Sequence, residues 1–259
     1  MLLKTKNELA LLGGTKLNKK EPLRWNNSLG QEEKNAVLKV LETGTLSGFQ
    51  ASPNEMFWGG ENVKKLETSF KNKFNVKYAI AVNSATSALH CAMMSLGLEI
   101  GDEVITSPYT MSATSTSILM VGAIPIFADI EDKTFCLDPI SVKKNINKNT
   151  KAICAVNILG HPANLKELRK IADEHNLFLI EDNSQAPGAT HFDNFTGTVG
   201  DIGVFSFNRH KVMQSGEGGV MVTSNNKIYE KASLFRNHGE AVVEEFGIKD
   251  IVNTVGLNL

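Results

Sequence analysis

The sequence predicts an α/β fold, a parallel sheet covered by helices on both faces. Two observations carry the prediction. From Tyr78 onward, short β-branched runs alternate with stretches of helical periodicity, the order that lays strands side by side and returns the chain across a face between them. The 259 residues, 42% hydrophobic and 21% charged, also supply enough apolar material for one large core or two small ones.

In chain order, Gly13-Gly14 and the stretch Asn18 to Pro22 read as an extended arm. Gln31 to Glu42 carries Ala36, Val37, Val40 and Leu41 at the spacing of an amphipathic helix with one buried face. The non-periodic stretch Gly44 to Gly60 holds Phe49, Phe57 and Trp58, so many aromatics that it is expected to lie against a ligand or another subunit. A second amphipathic helix, about Val63 to Phe74, places Leu66, Phe70 and Phe74 on one side. The alternation then begins. Strands are predicted at Ala79 to Val82, Glu103 to Thr106, Ile124 to Phe127, Ala152 to Val156 and Leu177 to Ile180. Helices are predicted at Thr86 to Leu96, Ser112 to Val121, Pro139 to Lys143 and Leu165 to His175. An apolar run ending at Phe207, a polar turn, and a second apolar run at Val220 to Val222 read as strand, turn, strand.

Composition narrows the function. A formal net charge of -1 gives no electrostatic reason for nucleic acid or an anionic membrane as partner. The three cysteines, Cys91, Cys136 and Cys154, match no zinc or disulfide spacing and are expected as buried thiols, which suits the cytoplasm. The N-terminus mixes charge with leucine and lacks the apolar core of a signal peptide, and the longest mostly apolar run, Ile118 to Ala128, is too short to span a bilayer.

In a parallel sheet, functional groups collect beyond the carboxyl ends of the strands. After the first strand comes Asn83-Ser-Ala-Thr-Ser-Ala88, which is either an ordinary helix cap or a phosphate site. In the second case Ser84, Ala85 and Thr86 supply backbone and hydroxyl donors at the positive end of the helix dipole. The strand ending at Ile180 is followed by Glu181-Asp182. Two acids closing a buried strand are costly, so one is expected to meet a cation, unless Asp182 only caps a helix. Lys211 stands in the turn before Gly216-Glu-Gly-Gly219. It is either a surface lysine of a hairpin or a partly desolvated amine able to bond an aldehyde. Together, a phosphate cradle, a buried carboxylate and a turn-borne lysine are what pyridoxal 5′-phosphate (PLP) requires.

At this point a family resemblance enters. Asp201-Ile-Gly-Val-Phe-Ser-Phe207 with Lys211 and Gly216-Glu-Gly-Gly219 resembles the DegT/DnrJ/EryC1/StrS aminotransferases, which act mainly on nucleotide-linked keto-sugars. The same is true of Ile180-Glu-Asp182 with Gln185 and Gly188, Asn83 to His90, Gly101 to Ile105 and Arg236-Asn-His-Gly239. The resemblance covers the chain from about Leu9. It implies a fold-type I PLP-dependent transferase, the aspartate aminotransferase-like large domain with a mostly parallel seven-stranded sheet, and a homodimer with shared active sites. It further implies that Lys211 forms the Schiff base and shuttles protons, that Asp182 faces the pyridine nitrogen, and that Gln185 contacts the 3′-oxygen. Ser206, with Ala85 and Thr86, is implied to grip the phosphate. On this pattern an amino acid, glutamate for choice, converts PLP to pyridoxamine 5′-phosphate, and the keto-sugar then takes the amine.

Several residues depart from the family pattern. Tyr109-Thr-Met-Ser-Ala-Thr114 has Met111 where members carry an aromatic over the cofactor ring, Pro187 replaces a common histidine, and Asn208-Arg-His210 replaces the usual approach to the lysine. Val255-Gly-Leu-Asn-Leu259 resembles the start of the segment leading to the family's small C-terminal domain, so that domain is expected to be missing and the chain alone weak or inactive. Asn258 falls where members reach the neighbouring subunit's phosphate. The expected organisation is residues 1–60 as arm, helix and aromatic loop, 61–240 as PLP-binding domain, and 241–259 as the start of the incomplete domain. Other readings remain: a PLP-dependent sugar dehydratase, against which Lys211 speaks because those members carry histidine there; a dinucleotide-binding domain, which lacks its glycine fingerprint here; and a non-catalytic subunit.

Overall fold

The computed structural model describes residues 14–15, 29–247 and 256–259. The chain divides into two compact units, residues 1–46 and 47–259. The expected extended arm lies almost wholly outside the described residues.

In the first unit, α1 (Gln31–Glu42) forms where its periodicity placed it. Glu33 turns back to accept a hydrogen bond from the Gly30 N–H at 2.6 Å, closing the first turn. The expected burial of one face is corrected: Val37, Leu38 and Leu41 are each more than half exposed, and no residue of the helix is buried. Periodicity creates an apolar stripe but does not supply the element that covers it, and no described residue of this unit does so.

The second unit runs α2 (Glu61–Phe74), β1 (Tyr78–Val82), α3 (Ala85–Ser95), β2 (Glu103–Thr106), α4 (Ser112–Met120), β3 (Ile124–Phe127), α5 (Pro139–Asn145), β4 (Thr150–Val156), α6 (Leu165–Glu174) and β5 (Phe178–Asp182). A two-stranded ribbon follows, β6 (Thr190–His191) and β7 (Asn194–Phe195), then β8 (Ile202–Ser206), β9 (Gly219–Thr223) and α7 (Asn226–Arg236). The helices start where the sequence offers caps. The side-chain oxygens of Ser84, Asp138, Asn164 and Asn225 each accept from backbone N–H groups of the first turn, and Pro139 fits the opening of α5, where no N–H is needed.

The sheet has seven strands in the order β1-β9-β8-β5-β4-β2-β3. Only β9 opposes its neighbours, pairing antiparallel with both β1 and β8, so the expected mostly parallel sheet is what forms. One face packs Ile80, Val104, Cys154, Ile180, Val204 and Met221 against α3 and α7, and the other packs Ile105, Ile153 and Leu179 against α6. Under α2, Phe70 and Phe74 meet Phe205 edge-on or tilted at 5.3 and 4.6 Å. The three cysteines are free and buried, as expected, and burial pushes the Cys91 thiol up to about 12.

The aromatic loop packs on its own domain. Phe57 is fully buried with Leu234 and Val242, the Trp58 ring is parallel to that of Tyr229 at 6.1 Å, and the Arg236 guanidinium sits over Phe49 at 4.8 Å. Three aromatics in an irregular segment bury enough apolar area to hold it down without a periodic pattern. Arg236 is buried and paired with Glu67 at 2.6 Å, while the Asn237 amide donates to the carbonyls of Gln50 and Phe57. The chain end pairs along the same stretch: the Leu257 N–H donates to Phe235 O and the His238 N–H to Leu257 O. Gly256 permits that approach, since a Cβ there would come within 1.9 Å of the His238 carbonyl carbon.

Candidate functional site

A cavity of about 440 Å³ opens at the carboxyl ends of the parallel strands, beside the reversed strand β9. Ser84, Ala85 and Thr86 line it from the start of α3; Asp182 and Gln185 from the end of β5; Ser206 from the end of β8; Lys211 from the β8–β9 connection; and Met111 from the start of α4. Thus eight of the nine residues singled out in the sequence converge on one hollow. The ninth, Asn258, does not: it is exposed and bridges Asn237 at the chain end.

The α3 end of the cavity is built by close backbone approach. Ser84 is the cap of α3: its hydroxyl oxygen accepts from Ser87 N–H at 3.0 Å, and its proton reaches Ser87 Oγ. The cap is thus formed, and it does not exclude a phosphate site, which would use different atoms. The hydroxyl is spent on the helix, while the N–H groups of Ala85 and Thr86 have no partner among the described residues and sit at the positive end of the helix. Gly219 allows β9 to lie against this turn, because a Cβ there would fall 2.6 Å from Ser84 backbone atoms. Ser206 is nearly buried, its oxygen accepting from Asn208 N–H at 3.3 Å.

The two acids of β5 separate by the pleat of the strand. Glu181, fully buried on the far face, accepts from the N–H groups of Gly197, Val199 and Gly200 at 2.6 to 2.7 Å and from the Asn157 amide at 3.3 Å. Burial pushes its carboxyl above the usual carboxylate range while these four donors pull it back. Among the described residues neither acid is paired with a cationic side chain; backbone N–H groups match Glu181 instead. Asp182 faces the cavity. Its Oδ2 accepts from Thr114 Oγ1 at 2.8 Å and its Oδ1 from Ser184 N–H at 3.2 Å, leaving each oxygen a lone pair for a ligand.

Gln185 is oriented by an unusual neighbour. Leu159, in the left-handed region at φ 53°, donates its N–H to Gln185 Oε1 at 2.8 Å, and among the described residues the amide NH2 has no partner. Lys211 is half-buried, held in the connection by its own N–H to Asn208 O at 2.8 Å. It is the only lysine lining the cavity among the described residues. Met111 is 65% exposed at the rim. Sequence reasoning missed Thr110, Thr114, Asn157 and Leu159. Each acts through side-chain polar atoms or a backbone angle that no motif marks, although the hydroxyl-rich opening of α4 could have drawn attention to Thr114.

Known proteins resemble this chain in sequence and in fold. A family model described as the DegT/DnrJ/EryC1/StrS aminotransferase family matches residues 29–259. A GDP-perosamine synthase of Vibrio cholerae is 41% identical over 180 residues, 70% of this chain and 49% of that protein. An aminotransferase structure from Psychrobacter cryohalolentis superposes with a TM-score of 0.79 at 32% identity, covering 92% of this chain and 58% of the other. A GDP-4-keto-6-deoxymannose-3-dehydratase with a trapped PLP-glutamate geminal diamine superposes with a TM-score of 0.76 at 31% identity, covering 91% and 59%. The chain spans about half the length of the curated relatives it matches.

Proposed function

Because the chain belongs to the DegT/DnrJ/EryC1/StrS aminotransferase family, we propose that its cavity holds PLP. In the intact enzyme, on this reading, an amino group passes from an amino acid, glutamate for choice, to a nucleotide-linked keto-sugar. The observation that carries the reading is the convergence of the open α3 N-terminus, the Asp182 carboxylate and the Lys211 amine on one hollow. The relatives support it: one is named for a GDP-sugar product, and one superposed structure carries PLP with glutamate.

The residues present fit the cofactor. Two N–H groups without partners and a glycine where a side chain would fill the turn make a phosphate cradle. A nearly buried carboxylate with a spare lone pair on each oxygen suits a protonated ring nitrogen. When bound, PLP supplies an aldehyde that carries the amino group and a ring that absorbs the electron pair of a carbanion. Ala85 and Thr86 donate to the phosphate together with Ser206. Asp182 holds a proton at the ring nitrogen. The Gln185 NH2 donates to the 3′-oxygen, and Met111 covers a ring face with its thioether. Lys211 Nζ would move a proton from the amino donor's α-carbon to the former aldehyde carbon in one half-reaction, and from that carbon to the acceptor's carbon in the other.

The identity of the residue at 211 argues against the dehydratase reading: a lysine stands where those members carry histidine, and His210, which also lines the cavity, is one position away. Among the described residues no helix is long and apolar enough to cross a membrane. The family pattern suggests a cytoplasmic homodimer in which Asn258 of the partner subunit reaches the phosphate.

Borohydride treatment of the PLP-loaded protein is expected to fix the cofactor covalently on Lys211, read by peptide mass mapping. Lys211→Ala keeps non-covalent cofactor and loses the adduct. Incubation with amino donors then converts the absorbance to that of the pyridoxamine form. No conversion with any donor, in a protein of the relatives' full length, counts against transamination.

A further inference from the structure

We infer that Thr114 is a positioning residue for Asp182, the distal member of a one-way hydrogen-bond chain that starts at Thr110 and aims the carboxylate into the cavity. This rests on the cofactor reading above. Thr114 is fully buried in the first turn of α4 and lines nothing itself. A threonine in a helix commonly spends its hydroxyl on the carbonyl three or four residues back, as Ser117 does here, donating to Thr114 O at 2.8 Å. Thr114 instead reaches across to β5 and donates to Asp182 Oδ2 at 2.8 Å.

A hydroxyl has one proton, and this one is committed to a carboxylate oxygen. Thr110 Oγ1 lies 3.2 Å from Thr114 Oγ1, so Thr110 must be the donor in that contact. The order is Thr110 to Thr114 to Asp182, and each donation polarises the next. Thr114 on α4 and the Ser184 N–H in the turn after β5 hold one carboxylate oxygen each. Two anchors on two elements fix the plane of the carboxylate, and the oxygens keep their remaining lone pairs on the cavity side.

The test compares wild type, Thr114→Val, Thr114→Ser and Thr110→Val. It measures PLP affinity, the ring-nitrogen NMR signal of isotope-labelled PLP in the loaded chain, and thermal stability without cofactor. Valine keeps the shape of threonine and removes the donor. Thr114→Val is expected to weaken PLP binding about tenfold, the scale of one charge-assisted hydrogen bond, and to move the ring-nitrogen signal toward its unprotonated position. Thr114→Ser restores both, and Thr110→Val moves both the same way by roughly two- to threefold in affinity. Unchanged affinity and signal in Thr114→Val would overturn the assignment, as would a serine variant as defective as the valine one, since the methyl group would then be what matters. Should Thr114→Val fail to fold, Thr110→Val decides, and an unmoved signal there sinks the chain. Wild-type protein that holds no PLP removes the cofactor reading itself and this inference with it.

Discussion

Glu181 and Asp182 are consecutive residues of one strand, yet they sit in regions built on opposite principles. Around Glu181 the acceptor capacity of a buried carboxylate is used up. Three backbone N–H groups and the Asn157 amide point at it, and Asn157 in turn accepts from Ala163 N–H and donates to Asn183. That region ties the turn at residues 197–200 to the loops that follow β4 and β5. Around Asp182 two donors are present among the described residues, and the carboxylate otherwise faces a hollow. A buried charge whose valences are filled by its own chain serves architecture; one left half-matched is available to a ligand.

Removing the architectural acid is the severest way to test the contrast. Glu181→Ala leaves three backbone donors buried without partners and is expected to cost roughly 3–5 kcal/mol of stability by urea denaturation. Asp182→Asn keeps an acceptor for Thr114 and should stay within about 1 kcal/mol of wild type in the same assay. Its PLP affinity should drop roughly a hundredfold by absorbance titration, the loss of one buried charge pair. Equal destabilisation by the two variants would break the comparison. Gly219→Ala drives a Cβ against the Ser84 backbone. It should cost about 1–3 kcal/mol and weaken inorganic phosphate and PLP together, whereas Gly203→Ala, whose Cβ would meet Gly197 O on the Glu181 side, costs stability alone.

The smallest effect sharpens the contrast from outside both regions. His90, buried on α3 against Phe235 with its rings 4.9 Å apart, has an Nδ1 without a partner, and burial holds its pKa below the usual histidine value. The folded state therefore resists the proton that the unfolded chain accepts, and stability present above the unfolded value is lost as pH falls through it. The urea midpoint is expected to be lower at about pH 5.5 than at about pH 7.5 for wild type, with a shallower drop in His90→Gln.

Much of this was legible beforehand, because β-branched runs alternating with helical ones place polar residues at strand ends whatever the strand order. Lys211 stood out as an amine between two apolar runs, and Asp182 as an acid closing a strand. The pleat alone separates Glu181 from Asp182, but which of them faces the ligand depends on which side α3 and α4 take, a tertiary fact. Helix α7 went unread although Ile228, Ala232 and Phe235 hold helical spacing behind the Asn225 cap, since charged residues between them diluted the pattern. The two-residue strands β6 and β7 are too short to leave a periodic trace.

The reversed strand has a consequence for how the molecule comes together. Strand β1 is bonded in the sheet only to β9, Tyr78 opposite Thr223 and Val82 opposite Gly219. Helix α2 packs against it, but among the described residues no strand other than β9 pairs with it, so its place in the sheet is fixed only once β9 has been made. Gly219 of β9 lies against the Ser84 turn and Lys211 stands in the connection that leads into β9, so the same pairing completes both sides of the cavity.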